Sequence, residues 1–156
     1  MIISDADFLS SFIKISALEL VFKALGTDKI TITAGVLNEL EQAPFREKLH
    51  FWLTATEFKL VVEKIDKIYF SEEFGRGELE SIYLAERTNS LLLTNDRNAG
   101  ILAERKGITV MDIVTFLIYC KKHNLLSNDE LGKIIRDLKE KDYYEFSEEV
   151  KEILLG

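Results

Sequence analysis

Short apolar runs alternate with segments of helical periodicity along most of this chain. The runs at residues 1–4, 29–33, 91–94 and 108–111 are rich in apolar or β-branched side chains, which favour strands. The segments between them carry apolar residues three or four positions apart, as amphipathic helices do. Because parallel strands need crossover connections, this alternation predicts an α/β fold. We expect a three-layer α/β/α sandwich with a central parallel sheet of roughly four or five strands and a helical C-terminal segment.

Signals for helix ends divide the chain more finely. Apolar spacing predicts one helix over residues 8–25. Thr33 is a candidate cap for a helix over residues 34–42, and Asp112 is a candidate cap after the last strand. Residues 60–70 are predicted to hold one or two short strands. The other predicted helices cover residues 45–59, 78–87, 97–106, 113–123, 128–141 and 147–155.

The chain has the size of one domain. Its 156 residues, 47% hydrophobic and 30% charged, suit a single compact unit. One proline and eight glycines leave little material for linkers. We therefore expect residues 1–156 to form one domain, with residues 127–156 as a helical C-terminal extension.

Cysteine usage and hydropathy bear on location. Cys120 is the single cysteine, so no intramolecular disulfide can form and a reducing compartment is indicated. The first residues lack the pattern of a signal peptide, and no apolar run is long enough to cross a bilayer. We expect a cytoplasmic protein without membrane contact. His50 and His123 show no zinc-binding spacing with each other or with Cys120.

The net charge of −7 argues against a protein that holds nucleic acid mainly by bulk electrostatic attraction. Residues 128–156 contain nine acidic and five basic side chains, and so carry four of the seven excess negative charges. The rest of the chain is only mildly acidic. Bound divalent cations would also offset carboxylates that the formal count includes.

Acidic residues follow or neighbour several predicted strands. Asp5 ends the first strand, and Asp96 follows the strand at residues 91–94. Glu39 lies in the helix after the second strand, and Glu78 begins another helix. Ligands of parallel α/β sheets sit beyond the carboxyl ends of the strands, so these acids are expected near one edge, where they would suit Mg²⁺ or Mn²⁺. Each acid also has a simpler explanation as a helix cap, a partner of a helix N-terminus or a solvated residue.

Several segments together resemble the PIN-domain nucleases, especially the VapC-like toxins and their archaeal relatives. The best-matched block contains Gly77 and Glu78, then Ile82, Leu84 and Ala85, and finally the strand with Thr94 and Asp96. The resemblance covers most of the chain, through the segments IISDADFLSSF, ITAGVLNELEQ, GRGELESIYLAERTNSLLLTNDRNAGILAERKGI and VMDIVTFLIYCKKHNLLS.

The resemblance implies a set of site residues. The metal-binding and catalytic acids would fall on Asp5, Glu39, Glu78 and Asp96. Thr94 would be a polar neighbour that orients a ligand or a water. Asp7 is interpreted either as a supporting acid behind the metal ligands or as a helix N-cap, of which the cap is preferred. Asn95 and Asn98 stand where some relatives carry further acids, so the number of ions, one or two, is left open.

The resemblance also implies a function. The chain is expected to be a Mg²⁺- or Mn²⁺-dependent endoribonuclease that hydrolyses RNA phosphodiester bonds, with Arg97 beside Asp96 as a phosphate contact. Other cations that could contact phosphate are Arg76, Arg87, Arg105 and Lys106. The implied partners are an RNA substrate, a second copy of the chain in a homodimer and, if the toxin analogy holds, an antitoxin protein.

Two alternatives accompany this interpretation. Asp5 and Asp7 form a D-x-D after an apolar strand, as in haloacid-dehalogenase-like phosphohydrolases, where the first aspartate is a nucleophile. The second alternative is a non-catalytic PIN-fold module that binds RNA or protein, since fold does not fix function. The aromatic residues Phe45, Phe51 and Trp52 are interpreted as packing residues and not as base-stacking platforms.

Overall fold

The computed structural model describes residues 1–66 and 73–156. Within these ranges the strands are β1 (Ile2–Ser4), β2 (Lys29–Thr33), β3 (Lys59–Glu63), β4 (Leu91–Leu93) and β5 (Val110–Met111). The helices in the same ranges are α1 (Ala6–Lys14), α2 (Leu18–Ala24), α3 (Ala34–Glu41), α4 (Arg46–Thr54), α5 (Arg76–Thr88), α6 (Arg97–Arg105), α7 (Ile113–Lys122), α8 (Asn128–Asp142) and α9 (Glu148–Leu155).

The strands form a parallel sheet in the order β3-β2-β1-β4-β5. Ser4 of β1 is level with Leu93 of β4, so the residues that follow both strands emerge side by side. The chain adds strands first to one side of β1 and then to the other, and the order therefore reverses between β1 and β4. In open parallel sheets such a switch point is where ligands bind. The predicted α/β fold with a central parallel sheet is confirmed.

Apolar side chains pack on both faces of the sheet. Leu93 belongs to a large cluster and its neighbour Leu92 to a smaller one, because successive side chains of a strand point to opposite faces. Helices α5 and α6 cover the smaller cluster. Leu138 and Leu154 of the C-terminal helices lie in the large cluster with Phe8 of α1. None of the described helices is both long and apolar enough to span a membrane.

The single helix predicted over residues 8–25 is wrong, because the chain turns between α1 and α2. Ser16 adopts a left-handed backbone conformation with φ of 56°. The N–H of Ala17 donates to the carbonyl of Phe12 at 2.9 Å, and the N–H of Ser16 donates to that of Ile13 at 3.1 Å. This is the hydrogen-bond pattern of a Schellman helix end, which glycine usually occupies. A serine in that position conceals the break from the sequence.

The helix predicted over residues 45–59 ends earlier than expected, at Thr54, because the chain then enters β3. Strand β3 pairs with β2 along its whole length, from Lys59 to Glu63, and this pairing overrides the helical spacing. A strand within residues 60–70 is therefore confirmed, although residues 67–70 lie outside the described ranges. Asp112 caps α7 as predicted, by accepting a hydrogen bond from the N–H of Thr115 at 2.7 Å.

Candidate metal centre

Three carboxylates converge at the switch point of the sheet, and we call them the acidic cluster: Asp7, Glu78 and Asp96. One oxygen from each lies within 4.8 Å of the others. Asp7 and Glu78 come from the first turns of α1 and α5, and Asp96 is the N-cap of α6. Oxygen atoms that bind one divalent cation lie about 2.0 to 2.6 Å from it, so they are at most about 5 Å from one another. The acidic cluster therefore has the donor set and the spacing for one such ion.

Asp5 lies beside the acidic cluster and is almost completely buried, at 2% exposure. It caps α1 by accepting a hydrogen bond from the N–H of Phe8 at 3.0 Å. The pKa of Asp5 is raised to about 7, mainly by burial and to a smaller extent by the charges of Asp7 and Glu78, against the hydrogen bonds from Phe8 and Thr94 that lower it. Since Asp5 is the N-cap, the preferred interpretation of Asp7 as the cap is wrong.

Thr94 joins Asp5 to Asp96. Its hydroxyl donates a hydrogen bond to the Asp5 carboxylate and accepts one from the N–H of Asp96 at 3.2 Å. The contact follows from the register of the sheet, because Ser4 is level with Leu93 and the next residue of each strand is Asp5 or Thr94. Asp96 in turn accepts from the N–H of Ala99 at 2.8 Å. A chain of hydrogen bonds thus fixes two of the predicted acids relative to each other.

Glu39 approaches the acidic cluster from the end of α3. The N–H of Gly77 donates a hydrogen bond to its carboxylate, which opposes a pKa raised mainly by desolvation and then by the charge of Asp7. A Cβ atom on Gly77 would lie only 2.6 Å from Oε1 of Glu39. Glycine at position 77 is therefore what allows Glu39 to approach so closely.

Carboxylates of the acidic cluster repel one another, and this repulsion adds to desolvation in raising the pKa values of Asp7 and Glu78. Desolvation raises the pKa of Glu78, and Asp96 is the next largest cause. Desolvation likewise raises the pKa of Asp7, followed by Asp96 and Asp142, whereas Lys14 lowers it. Carboxylates held this close are stabilised by protons or by cations. Hard oxygen donors with this need fit Mg²⁺ or Mn²⁺.

The other predicted site residues lie around α6. Asn95 accepts a hydrogen bond from the N–H of Ile113 at 3.3 Å and forms another with the hydroxyl of Tyr144. It therefore connects the end of β4 to α7 and to the segment before α9. Arg97 and Asn98 are exposed in the first turn of α6.

Glu80 is a charged residue that sequence reasoning missed. Its side chain is fully buried and accepts a hydrogen bond from the N–H of Gly35 at 2.9 Å. It also forms an ion pair with Arg76 at 2.8 Å. Glu80 thereby fixes the start of α3 against α5, the two helices that present Glu39 and Glu78. The only sequence signal was its spacing of four residues from Arg76, which is common on exposed helices.

The three aromatic residues interpreted as packing residues divide into two groups. Phe45 is buried in the large core cluster, and Trp52 packs against it while stacking on Phe22 with ring centroids 5.5 Å apart. Phe51, in contrast, is 60% exposed. Cys120 is buried, and desolvation raises the pKa of its thiol to about 11, as expected for an unreactive cysteine.

A parallel α/β domain with clustered carboxylates at the switch point has the architecture expected of a PIN-like protein. The chain belongs to the PIN-domain family, because the family model described as a PIN domain (DUF3368) matches residues 1–155. Its structure is similar to that of a PilT N-terminus domain protein from the hyperthermophilic archaeon Sulfolobus solfataricus. That match has a TM-score of 0.52 and 17% identity, and covers 74% of this chain and 90% of that chain. The likeness shows the fold. No curated protein matches the chain.

Proposed function

We propose that this protein is a Mg²⁺- or Mn²⁺-dependent endoribonuclease. The observation that carries the proposal is the convergence of Asp7, Glu78 and Asp96 within 4.8 Å at the switch point of a PIN-domain sheet. The three residues come from separate stretches of the sequence, and each occupies the first turn or cap of a different helix. Helix caps alone do not require such a meeting.

In this proposal the acidic cluster and Asp5 would hold the ion, and Glu39 would bind it directly or through water. The oxygens of Asp5 that accept hydrogen bonds from Phe8 and Thr94 retain further lone pairs, so Asp5 stays in the proposed ligand set. A bound divalent ion supplies Lewis acidity toward a phosphodiester and activates water near neutral pH. The protein positions the carboxylates, and a bound ion would favour their ionised forms, which desolvation and mutual repulsion otherwise disfavour.

The natural substrate and partners follow from the family and not from the geometry. We propose RNA as the substrate, a homodimer as the assembly and, for a toxin role, an antitoxin whose segment covers the acidic cluster. An arginine is suited to such a segment because its guanidinium pairs with carboxylates in a bidentate manner.

The test compares two aspartates with the same structural duty. Asp96 and Asp112 each cap a helix, with contacts of 2.8 and 2.7 Å to the N–H of the third helical residue. Asparagine is also a good cap, so Asp96→Asn and Asp112→Asn should both fold. We expect Asp96→Asn to lose Mg²⁺-stimulated cleavage of single-stranded RNA by a factor of about 100 or more, and Asp112→Asn to keep it.

Calorimetric titration with Mn²⁺ gives a second readout, in which Asp96→Asn binds the ion more weakly than the wild type and Asp112→Asn does not. Equal cleavage by both variants would contradict the proposal. A wild-type protein that binds Mn²⁺ but never cleaves RNA would instead be a non-catalytic binding module. Turnover of a small chromogenic phosphate monoester without RNA cleavage would favour the phosphohydrolase alternative.

A further inference from the structure

Four cationic side chains line one groove of about 580 Å³, and we call it the basic groove: Lys14, Arg46, Lys48 and Lys141. We propose that the basic groove binds the phosphodiester backbone of a single RNA strand next to the acidic cluster. This inference rests on the proposed function, since it names where the substrate lies. Glu47 is the one acidic residue among those that line the groove, in a chain whose net charge is −7.

The groove forms where three parts of the chain meet. Lys14 comes from the last turn of α1, Arg46 and Lys48 from the first turn of α4, and Lys141 from the last turn of α8. Residues this far apart in sequence form no motif, so composition and spacing gave no sign of the groove. Phe45, which lines the groove, caps α4 without a side-chain hydrogen bond, and the dipole of α4 adds partial positive charge there.

Helix α1 connects the basic groove to the acidic cluster. Asp7, Ser11 and Lys14 are spaced four and three residues apart, so they lie along one face of α1. The axial distance from Asp7 to Lys14 is about 10 Å at 1.5 Å per residue. The charge of Lys14 also lowers the pKa of Asp7, which places the two within electrostatic reach. A strand with one phosphate at the acidic cluster can therefore present a neighbouring phosphate to the groove.

Some of the groove charge is offset and some is not. Lys14 pairs with Asp142 at 2.9 Å, and Lys48 donates a hydrogen bond to the hydroxyl of Ser16 at 3.0 Å. These contacts hold two of the four cations in place. Arg46 and Lys141 are exposed, and neither forms an ion pair with a described residue, although the charge of Lys141 helps to lower the pKa of Asp137. They are the two residues best placed to bind phosphate.

Three of the five cations that the sequence suggested for phosphate binding are engaged elsewhere. Arg76 pairs with buried Glu80, Arg87 lies over the ring of Tyr83 at 5.6 Å, and Lys106 pairs with Glu86 at 3.6 Å. A positively charged groove that tracks a backbone is the usual means of holding a single strand without reading its sequence. The basic groove is a single cavity of about 580 Å³, whereas a duplex presents two charged strands and needs a broader basic face.

The experiment measures how salt weakens the binding of a fluorescent oligouridine to four proteins. Every protein carries Asp96→Asn, so that the probe is not cut. The groove variant adds Arg46→Gln and Lys141→Gln, and the matched control adds Lys29→Gln and Lys122→Gln, an equal loss of charge at the start of β2 and the end of α7. The fourth protein carries Lys14→Gln, which also removes the partner of Asp142.

We expect the slope of log binding constant against log salt concentration to become shallower by about 1.4 in the groove variant, or about 0.7 for each lost phosphate contact. The matched control should keep the parent slope. Lys14→Gln should also flatten the slope, by up to about 0.7. Equal changes of slope in the groove variant and the control, or no change in either, would overturn the proposal that the basic groove binds RNA. Circular dichroism of each protein verifies the fold.

Two further arms separate the groove from the nuclease proposal and from another occupant. In proteins that retain Asp96, the groove substitutions should raise KM for RNA more than they lower kcat. If the groove substitutions change the salt-dependence slope but the wild-type protein has no RNase activity, the proposed function is wrong and RNA binding in the groove is supported. If the slope is unchanged but the wild-type protein cleaves RNA, the proposed function is supported and the groove proposal is wrong. If polyglutamate displaces oligouridine at matched charge concentration, the groove takes an acidic protein segment, and the RNA assignment is overturned.

Discussion

The hydroxyl of Thr94 donates a hydrogen bond to the buried carboxylate of Asp5 across the switch point of the sheet. The two residues are 89 positions apart in the chain and become neighbours because β1 and β4 are paired in register. The same hydroxyl accepts from the N–H of Asp96. One small side chain thus fixes a buried acid and a cluster acid, and this makes Thr94 the first position to test.

Thr94→Val should destabilise the protein by about 1 to 3 kcal/mol, because a buried carboxylate loses a donor and the N–H of Asp96 loses an acceptor. The loss should be larger above the pKa of Asp5, which is about 7, since the hydroxyl favours the ionised carboxylate. Urea unfolding on either side of that pH measures the difference. Thr115→Val, at an exposed threonine in α7, is the control and should change the unfolding free energy by less than about 0.5 kcal/mol. Equal destabilisation by the two variants would show that the contact with Asp5 contributes little.

Asp5→Asn should change how stability depends on pH. The folded pKa of Asp5 is raised from 3.8 to about 7, so the folded state binds the proton more tightly than the unfolded state. The stabilisation is therefore complete below about pH 4 and is lost as the pH rises toward 7, by an amount on the order of 4 kcal/mol. Asparagine removes this dependence.

Urea unfolding of the wild type and of Asp5→Asn from acid to mildly alkaline pH, with divalent ions chelated, measures the effect. The variant should become increasingly more stable than the wild type as the pH rises. Asp7, Glu39 and Glu78 also have raised pKa values and are present in both proteins, so the difference reports the titration of Asp5 together with its coupling to Asp7 and Glu78. Parallel stability curves would mean that Asp5 titrates normally in the folded protein.

Gly77→Ala should disturb the site, because its Cβ would lie 2.6 Å from Oε1 of Glu39 and 3.2 Å from the backbone nitrogen of Val36. Glu39 or the start of α3 must move, and we expect a destabilisation of about 1 to 3 kcal/mol. Gly132→Ala is the matched helical control, since its nearest neighbour is the flexible end of Arg136 at 3.4 Å. That variant should stabilise α8 by up to about 1 kcal/mol. Thermal unfolding compares the two variants. Stabilisation by both substitutions would refute the close contact between Glu39 and Gly77.

Local sequence signals predicted much of this structure, because caps and apolar spacing act over a few residues. Thr33, Asp96 and Asp112 cap helices at the expected places. Strands β1 and β4 are followed by the expected acids, Asp5 and Asp96. The break at Ser16 was missed because its left-handed conformation normally selects glycine.

The candidate site was harder to predict, because it depends on distances between helices. Asp7 lies two positions beyond the cap of α1, and its approach to Glu78 and Asp96 depends on how α1, α5 and α6 are set on the sheet. Nothing local distinguishes it from an ordinary first-turn acid, which a helix N-terminus favours in any case. The same holds for the burial of Glu80, since its spacing from Arg76 fits an exposed pair equally well.

Glu80→Ala should be among the most destabilising single changes in this chain. It leaves the N–H of Gly35 without its acceptor and removes the ion pair with Arg76, at a position with 0% exposure. Removing one member of a buried pair costs about 3 to 5 kcal/mol, although the exposure of Arg76, at 59%, places the expected value at the lower end of about 3. Glu80→Gln keeps an acceptor for Gly35 and should recover about half of the loss.

Glu86→Ala serves as the control, because Glu86 forms an exposed ion pair with Lys106 at 3.6 Å and such pairs contribute less than about 1 kcal/mol. Chemical unfolding of the three variants gives the ranking. If Glu80 fixes α3 against α5, Glu80→Ala should also weaken Mn²⁺ binding, since these helices carry Glu39 and Glu78. Glu80→Gln should restore that binding, whereas Glu86→Ala should leave it at the wild-type value. An unfolding free energy for Glu80→Ala no lower than that for Glu86→Ala would rule out the structural role assigned to Glu80.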